Sequence, residues 1–254
     1  YSFKVLILWS IVKNTSIRPT KQIYKNYSEE DFKVWNILFT RQLKTLNGIV
    51  ADEFIVALND LNFTPKKIPN FNEINNTLKN ITGWVIKTVP NISPPKEFFF
   101  YLSIKKFTTT CWLRSISQID YLEEPDMFHD VFAHVPLLSN KEYTSFFMEI
   151  GKIAMSVIED PIKLKKLQRI YWFTIEFGLI KKDKKFKIYG AGIISSKEES
   201  NNVLSNKSLK KKFNVKKVMD HSFRIDVVQD TYYYISSFKE LTLSLNEIRE
   251  NIYE

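Results

Sequence analysis

Apolar residues return at close to helical period through Phe32, Trp35, Ile37, Leu38 and Phe39, directly after Ser28 and the acids Glu29, Glu30 and Asp31. Ser28 is placed to cap the first turn, with Asp31 as a shortened capping-box partner, so the pattern predicts a helix over about 29–46. A second helix is predicted over Ala51–Leu61, stopped before Pro65, and a shorter one over Phe71–Leu78. Pro65, Pro69, Pro90, Pro94 and Pro95 cut the intervening chain into short elements. Phe98–Thr110 mixes aromatic and β-branched residues and reads as helix turning into strand. Lys141–Ile158 is amphipathic at helical period, and Ile162–Ile180 is a long apolar segment read as helix. Beyond Gly178 the elements shorten. A charged turn is expected at Lys181–Lys187, strands around Ile188–Ile194 and Arg224–Val228, and a closing helix over Ser237–Tyr253. With no internal repeat or long linker, the fold class expected is mainly α with a few short β-strands, in one domain.

Composition narrows this picture. The chain has 254 residues, 44% of them hydrophobic and 15% aromatic, enough to bury a full core, which excludes wholesale disorder. The apolar stretch Phe3–Val12 is too short to span a bilayer and carries Lys4. No small-residue cleavage pattern follows it, so a cytoplasmic protein without a membrane partner is expected. Residues 1–23 read as an N-terminal tail ahead of a domain over 24–254. The single cysteine, Cys111, excludes an intrachain disulfide framework and multi-cysteine metal sites, and reads as a small, half-buried hydrophobe. The net charge of +9 comes from 31 Lys and only 6 Arg. Because phosphate and base readers lean on the planar arginine fork, the lysine runs Lys181–Lys187 and Lys207–Lys217 read as solvated loops, and no nucleic-acid partner is expected.

Two segments carry chemistry. In Glu123–Pro136 stand His129 and His134, two of the three histidines in the chain. Five residues apart on a straight α-helix, their side chains diverge by roughly 140°. Both reach one atom only if the helix is distorted, and Pro136 marks the place where it must end or bend. The spacing differs from HExxH, which puts both histidines on one helical face. In Leu167–Ile180, Glu176 is the only acid in a nearly continuous apolar run. A buried carboxylate there needs a cation: Arg169, seven residues earlier, or a metal. Two histidines and a carboxylate make the facial triad that holds non-haem Fe(II), with a catalytic Zn(II) as the competing reading.

Three ordered blocks resemble the tetrahydropterin-dependent aromatic amino acid hydroxylases, particularly the short bacterial phenylalanine 4-monooxygenases. They are Glu124-Pro125-Asp126 leading to His129-x4-His134-Val135-Pro136-Leu137-Leu138, then Tyr171 to Gly178, then Tyr189 to Ser196. Weaker likeness runs through Tyr27, Val34-Trp35, Arg41-Gln42 and Thr82-Gly83-Trp84, so that about residues 24–240 are covered. The resemblance implies the single-domain catalytic fold of that family. It implies an enzyme that hydroxylates L-phenylalanine to L-tyrosine with O2, Fe(II) and tetrahydrobiopterin or a related tetrahydropterin. A tryptophan hydroxylase of the same family, or a degenerate amino acid or pterin binder, is the alternative. His129, His134 and Glu176 match the iron ligands. Arg114 matches the arginine that grips the substrate carboxylate, and Asp126 the acid that positions it, a chemistry suited to the bidentate guanidinium fork. Trp172, Gly192 and Ser195 match the wall and floor of the amino acid pocket. Phe98 matches the aromatic that stacks on the pterin, Asp130 a glutamate near it, and Tyr171 a tyrosine close to the iron. The length implies no regulatory domain or assembly helix, hence a monomer or simple dimer. Two departures stand out. Ala133 replaces a glycine before the second histidine, which strains the bend if that glycine has a left-handed backbone. Lys197-Glu198-Glu199 replaces Phe-Gly-Glu, which is expected to loosen the following loop.

Overall fold

The computed structural model describes residues 18–120 and 122–254. Residues 1–17, where most of the expected tail falls, lie outside the described residues. Helix α1, Glu29–Leu46, starts at Ser28 as expected, with both halves of the capping box formed by Ser28 and Asp31. Its Val34, Trp35, Leu38 and Phe39 are buried, and Trp35 packs edge-on to Phe128 and Phe132, so this helix underlies the segment carrying the histidines. Helices α2 (Asp52–Asp60) and α3 (Phe71–Ile81) follow. Strand β1 (Val85–Thr88), helix α4 (Pro95–Ser103) and strand β2 (Lys106–Thr109) come next, and β1 and β2 pair in parallel. Pro95 stands in the first turn of α4, where its missing N–H costs nothing.

Helices α5 (Lys141–Ser156) and α6 (Pro161–Tyr171) follow, α5 burying Tyr143, Phe146, Phe147 and Ile150, and α6 burying Leu167, Ile170 and Tyr171. Gly151 lets α5 approach α4 closely: a Cβ there would stand 2.6 Å from the Ser103 backbone nitrogen. After α6 the expectation of one helix to Ile180 fails. The chain passes through a π-helical segment, Trp172–Glu176, and turns at Gly178 into strand β3, Gly178–Lys182. The apolar run looks continuous because strand and helix are both buried here, and burial hides the period that would distinguish them.

The lysine-rich stretch contains β4 (Lys185–Ile188), paired antiparallel with β3 across Asp183 and Lys184, rather than a loop. Ile188 ends that strand, and Ala191–Ser195 forms a short helix, α7, in place of the expected extension. Helix α8 (Lys197–Leu204), strand β5 (Leu209–Lys212), helix α9 (Val215–Asp220) and strand β6 (Thr231–Ile235) complete a four-stranded sheet in the order β4-β3-β6-β5. Arg224–Val228 is irregular; its Arg224 and Asp226 pair with each other in solvent, and the strand forms later, where Tyr232 and Tyr233 are buried. The second lysine run is therefore an edge strand and a helix. Lysine on an edge strand resists pairing with another chain. The closing helix is broken at Ser244 into α10 (Phe238–Leu243) and α11 (Leu245–Tyr253). Cys111 is more deeply buried than expected, 3% exposed. No helix among the described residues is long and apolar enough to cross a membrane.

Candidate active site

The two histidines meet because the helix carrying them is not an α-helix. Phe128–His134 is π-helical, and its i→i+5 bonding returns residues five apart to nearly one face. Asp126, fully buried, starts this turn: its Oδ1 accepts from the Phe128 and His129 backbone N–H groups at 3.1 and 3.4 Å. Pro136 ends it by opening a 3-10 turn, Pro136–Ser139. Ala133 introduces no strain, since the non-glycine residues with positive φ among the described residues are Asn62, Lys105, Asp183 and Lys184.

The resulting side chains converge. His129 Nε2 lies 3.2 Å from His134 Nε2. Glu176 reaches them from the second π-helical segment, Oε1 3.2 Å from His134 Nε2 and Oε2 3.7 Å from His129 Nε2. Glycines permit this approach. A Cβ on Gly178 would stand 2.1 Å from the Thr174 carbonyl oxygen, and one on Gly190 2.4 Å from that of Glu176. Arg169 does not supply the cation for Glu176; its guanidinium donates to the Met219 carbonyl instead.

Hydrogen bonding sets the protonation of the donors. The Ser195 hydroxyl donates to the Ala191 carbonyl at 2.9 Å, so it accepts from His129 Nδ1–H at 2.8 Å. That tautomer leaves the Nε2 lone pair of His129 facing Glu176 and His134. Burial pushes the His129 imidazolium down to about 4, so the ring is neutral near pH 7. Burial also pushes the Glu176 carboxyl up, but His134, His129 and a hydrogen bond from Tyr171 outweigh it and hold the group down at about 2. Burial raises the Tyr171 phenol well above its usual range, and it stays a donor. His134 Nδ1 is buried without a partner. Two imidazole nitrogens and one carboxylate within 4.8 Å of one another fit a single cation, the donor set of a facial triad.

The other expected residues surround this cluster. Arg114 forms a bidentate pair with Asp126, Nε to Oδ2 and Nη2 to Oδ1, both at 2.9 Å. Since Asp126 also caps the His129 turn, one carboxylate ties the arginine to the histidine segment. Trp172 packs on Phe177 at 4.6 Å, and a Cβ on Gly192 would touch the far edge of the Phe177 ring, so Gly192, Phe177 and Trp172 are contiguous. Phe98 lies edge-on to Tyr171 at 5.2 Å. Asp130 accepts from Thr110 N at 2.7 Å and Thr110 Oγ1 at 2.9 Å; burial pushes its carboxyl up to about 7 against those bonds. The segment after Ser196 is not loosened: Ser196 caps α8, and Glu199 is buried and bonded to Gln229 N and Tyr232. Sequence reasoning missed Thr110, Phe223, which stacks on Trp172 at 4.3 Å, and Gln229, which accepts from Trp172 Nε1 at 3.1 Å. Gln229 stands 57 residues from Trp172, and no local pattern joins them.

A helical domain with a small sheet, holding two histidines and a glutamate on one face, defines the class of mononuclear non-haem metal enzymes with a facial triad. Comparison with known proteins narrows the class. The model of the biopterin-dependent aromatic amino acid hydroxylases matches residues 15–254, and the chain belongs to that family, the pterin-dependent non-haem iron monooxygenases. It is 43% identical over 216 residues to phenylalanine-4-hydroxylase of Chromobacterium violaceum, covering 85% of this chain and 72% of that one. The crystal structure of that enzyme with bound Fe(III) superposes with a TM-score of 0.87 at 39% identity, over 93% of this chain and 86% of that one. Its structure with iron(III) and oxidised 7,8-dihydrobiopterin gives 0.86 at the same identity, over 93% and 85%.

Proposed function

We propose that this chain is a phenylalanine 4-monooxygenase, converting L-phenylalanine to L-tyrosine with O2, ferrous iron and a tetrahydropterin. The observation that carries this is the juxtaposition of the His129–His134–Glu176 cluster with the Arg114–Asp126 fork, joined where Asp126 accepts from the backbone that opens the His129 turn. His129, His134 and Glu176 would hold the ferrous iron, which with the reduced pterin would supply the redox chemistry of oxygen activation. The protein's share is positioning. Ser195 holds His129 in the tautomer that leaves Nε2 free, and Tyr171 beside Glu176 helps keep its carboxylate ionised.

Asp126 occupies Nε and Nη2 of Arg114, which leaves the Nη1 edge for the substrate carboxylate. Trp172, Gly192 and Ser195 then bound the aromatic side chain of the amino acid. In this reading Phe98, which packs against Tyr171, is the aromatic that stacks on the pterin ring, and Asp130 is the acid near it. Residues 24–254 act as one catalytic domain, as a monomer or simple dimer. A cytoplasmic location agrees with a lone buried thiol.

The test is a product assay on iron-loaded protein with reduced pterin and oxygen, phenylalanine and tryptophan being supplied in parallel with an iron-free control. Tyrosine formed only with iron and pterin supports the reading. 5-Hydroxytryptophan alone would overturn the substrate, and no product with one iron bound per chain would overturn the activity.

A further inference from the structure

The Trp172 indole is held at three places. Phe223 stacks on it at 4.3 Å with rings 14° apart, Phe177 packs against it, and its Nε1–H donates to Gln229 Oε1. Gln229 is 7% exposed, and its remaining polar groups are all engaged. Nε2 donates to the Arg224 and Val227 carbonyls at 2.8 and 3.0 Å, closing the irregular segment 221–230 on itself. The backbone N–H donates to Glu199 Oε1 at 2.9 Å, and the carbonyl accepts from Asn202 Nδ2 at 2.7 Å. Glu199 in turn accepts from Tyr232, which is fully buried. A buried amide with every group satisfied is rigid, and removing it strands several partners.

We infer that Gln229 is a positioning residue for the amino acid pocket: its side-chain amide sets the Trp172 indole and ties it to segment 221–230, which carries Phe223. The inference rests on the reading of Trp172 as a wall of that pocket. Glu199 and Asn202 fix the backbone of Gln229, so the placement of the indole is inherited from the sheet and α8 rather than from its own helix. A glutamine with a purely local structural role would change stability without touching the amino acid; one that sets the indole changes amino acid affinity through Trp172.

The experiment compares Gln229→Met, Trp172→Phe and the double variant as iron-loaded proteins. Phenylalanine affinity is read by oxygen-free fluorescence titration, with kcat and pterin KM alongside. Gln229→Met is expected to weaken phenylalanine binding about three- to tenfold, the scale of one lost hydrogen bond, with iron content, kcat and pterin KM unchanged. In the Trp172→Phe background, which keeps an aromatic wall without the indole N–H, the same change is expected to have no further effect. Acrylamide quenching of the Trp172 emission, taken as wild type minus Trp172→Phe, is expected to rise at least twofold in Gln229→Met. Independent, multiplying effects in the double variant, or unchanged quenching, overturn the inference. Wild-type protein that binds phenylalanine without hydroxylating it overturns the proposed function alone, and the affinity and quenching results still decide the role of Gln229.

Discussion

Replacing Asp126 by asparagine removes a charge without changing shape, at the point where the arginine and the histidine segment are joined. The Asp126 carboxylate is fully buried and accepts five hydrogen bonds, from Arg114 N, Nε and Nη2 and from the backbone of Phe128 and His129. Asparagine keeps one oxygen. Whichever way its amide turns, the NH2 group faces at least two donors: Arg114 N and Nε on one side, or Arg114 Nη2 and the two backbone groups on the other. The Arg114 side chain is only 11% exposed and loses its counter-ion at the same time. Breaking a buried pair from one side costs about 3–5 kcal/mol, a large part of a domain's usual stability of roughly 5–15 kcal/mol. Urea unfolding of the metal-free protein is expected to show a loss of that size. In the loaded enzyme the KM for phenylalanine is expected to rise more than about tenfold, because Arg114 is released from its orientation. A stability change below about 1 kcal/mol with an unchanged KM would refute the argument that one carboxylate organises both halves of the site.

Other consequences are equally direct. Glu176→Ala or His129→Ala is expected to abolish turnover and lower iron occupancy, measured by metal analysis after gel filtration; full activity in either would sink the triad. Ser195→Ala leaves His129 Nδ1 without its acceptor and is expected to weaken iron binding about 10- to 100-fold in a chelator competition, an effect that an unchanged competition curve would exclude. Gly178→Ala would put a Cβ 2.1 Å from the Thr174 carbonyl and 2.2 Å from Tyr189 Cζ, and the backbone must shift. A loss of about 1–3 kcal/mol or more by urea unfolding is expected, and an unchanged stability would contradict the close approach. Burial pushes the Cys111 thiol up to about 11, so at pH 8 it remains protonated. A disulfide reagent is expected to label it only after unfolding, and its rate to rise as pH approaches 11; fast labelling of native protein at pH 8 would disagree.

What the sequence determined by itself was local chemistry and residue identity. The Ser28 cap, the amphipathic period of 29–46 and the helix-to-strand change after Phe98 were legible because each depends on neighbours a few residues away. The family blocks around His129, Glu176 and Gly190 named the site residues through resemblance. Spacing alone could not join them, because an i, i+5 pair diverges on an α-helix and only a π-turn brings it together. The tertiary structure decided the rest. The end of α6, the start of β3 and the strand at Thr231 rather than Arg224 depend on which sheet edge was available, a property of distant chain segments. So do the contacts of Trp172 with Gln229, and the three glycines that let separate segments close on Glu176 and on α4. The physical reason is common to all of them: burial erases the polar alternation that marks an element, and partners far apart in sequence leave no period to read.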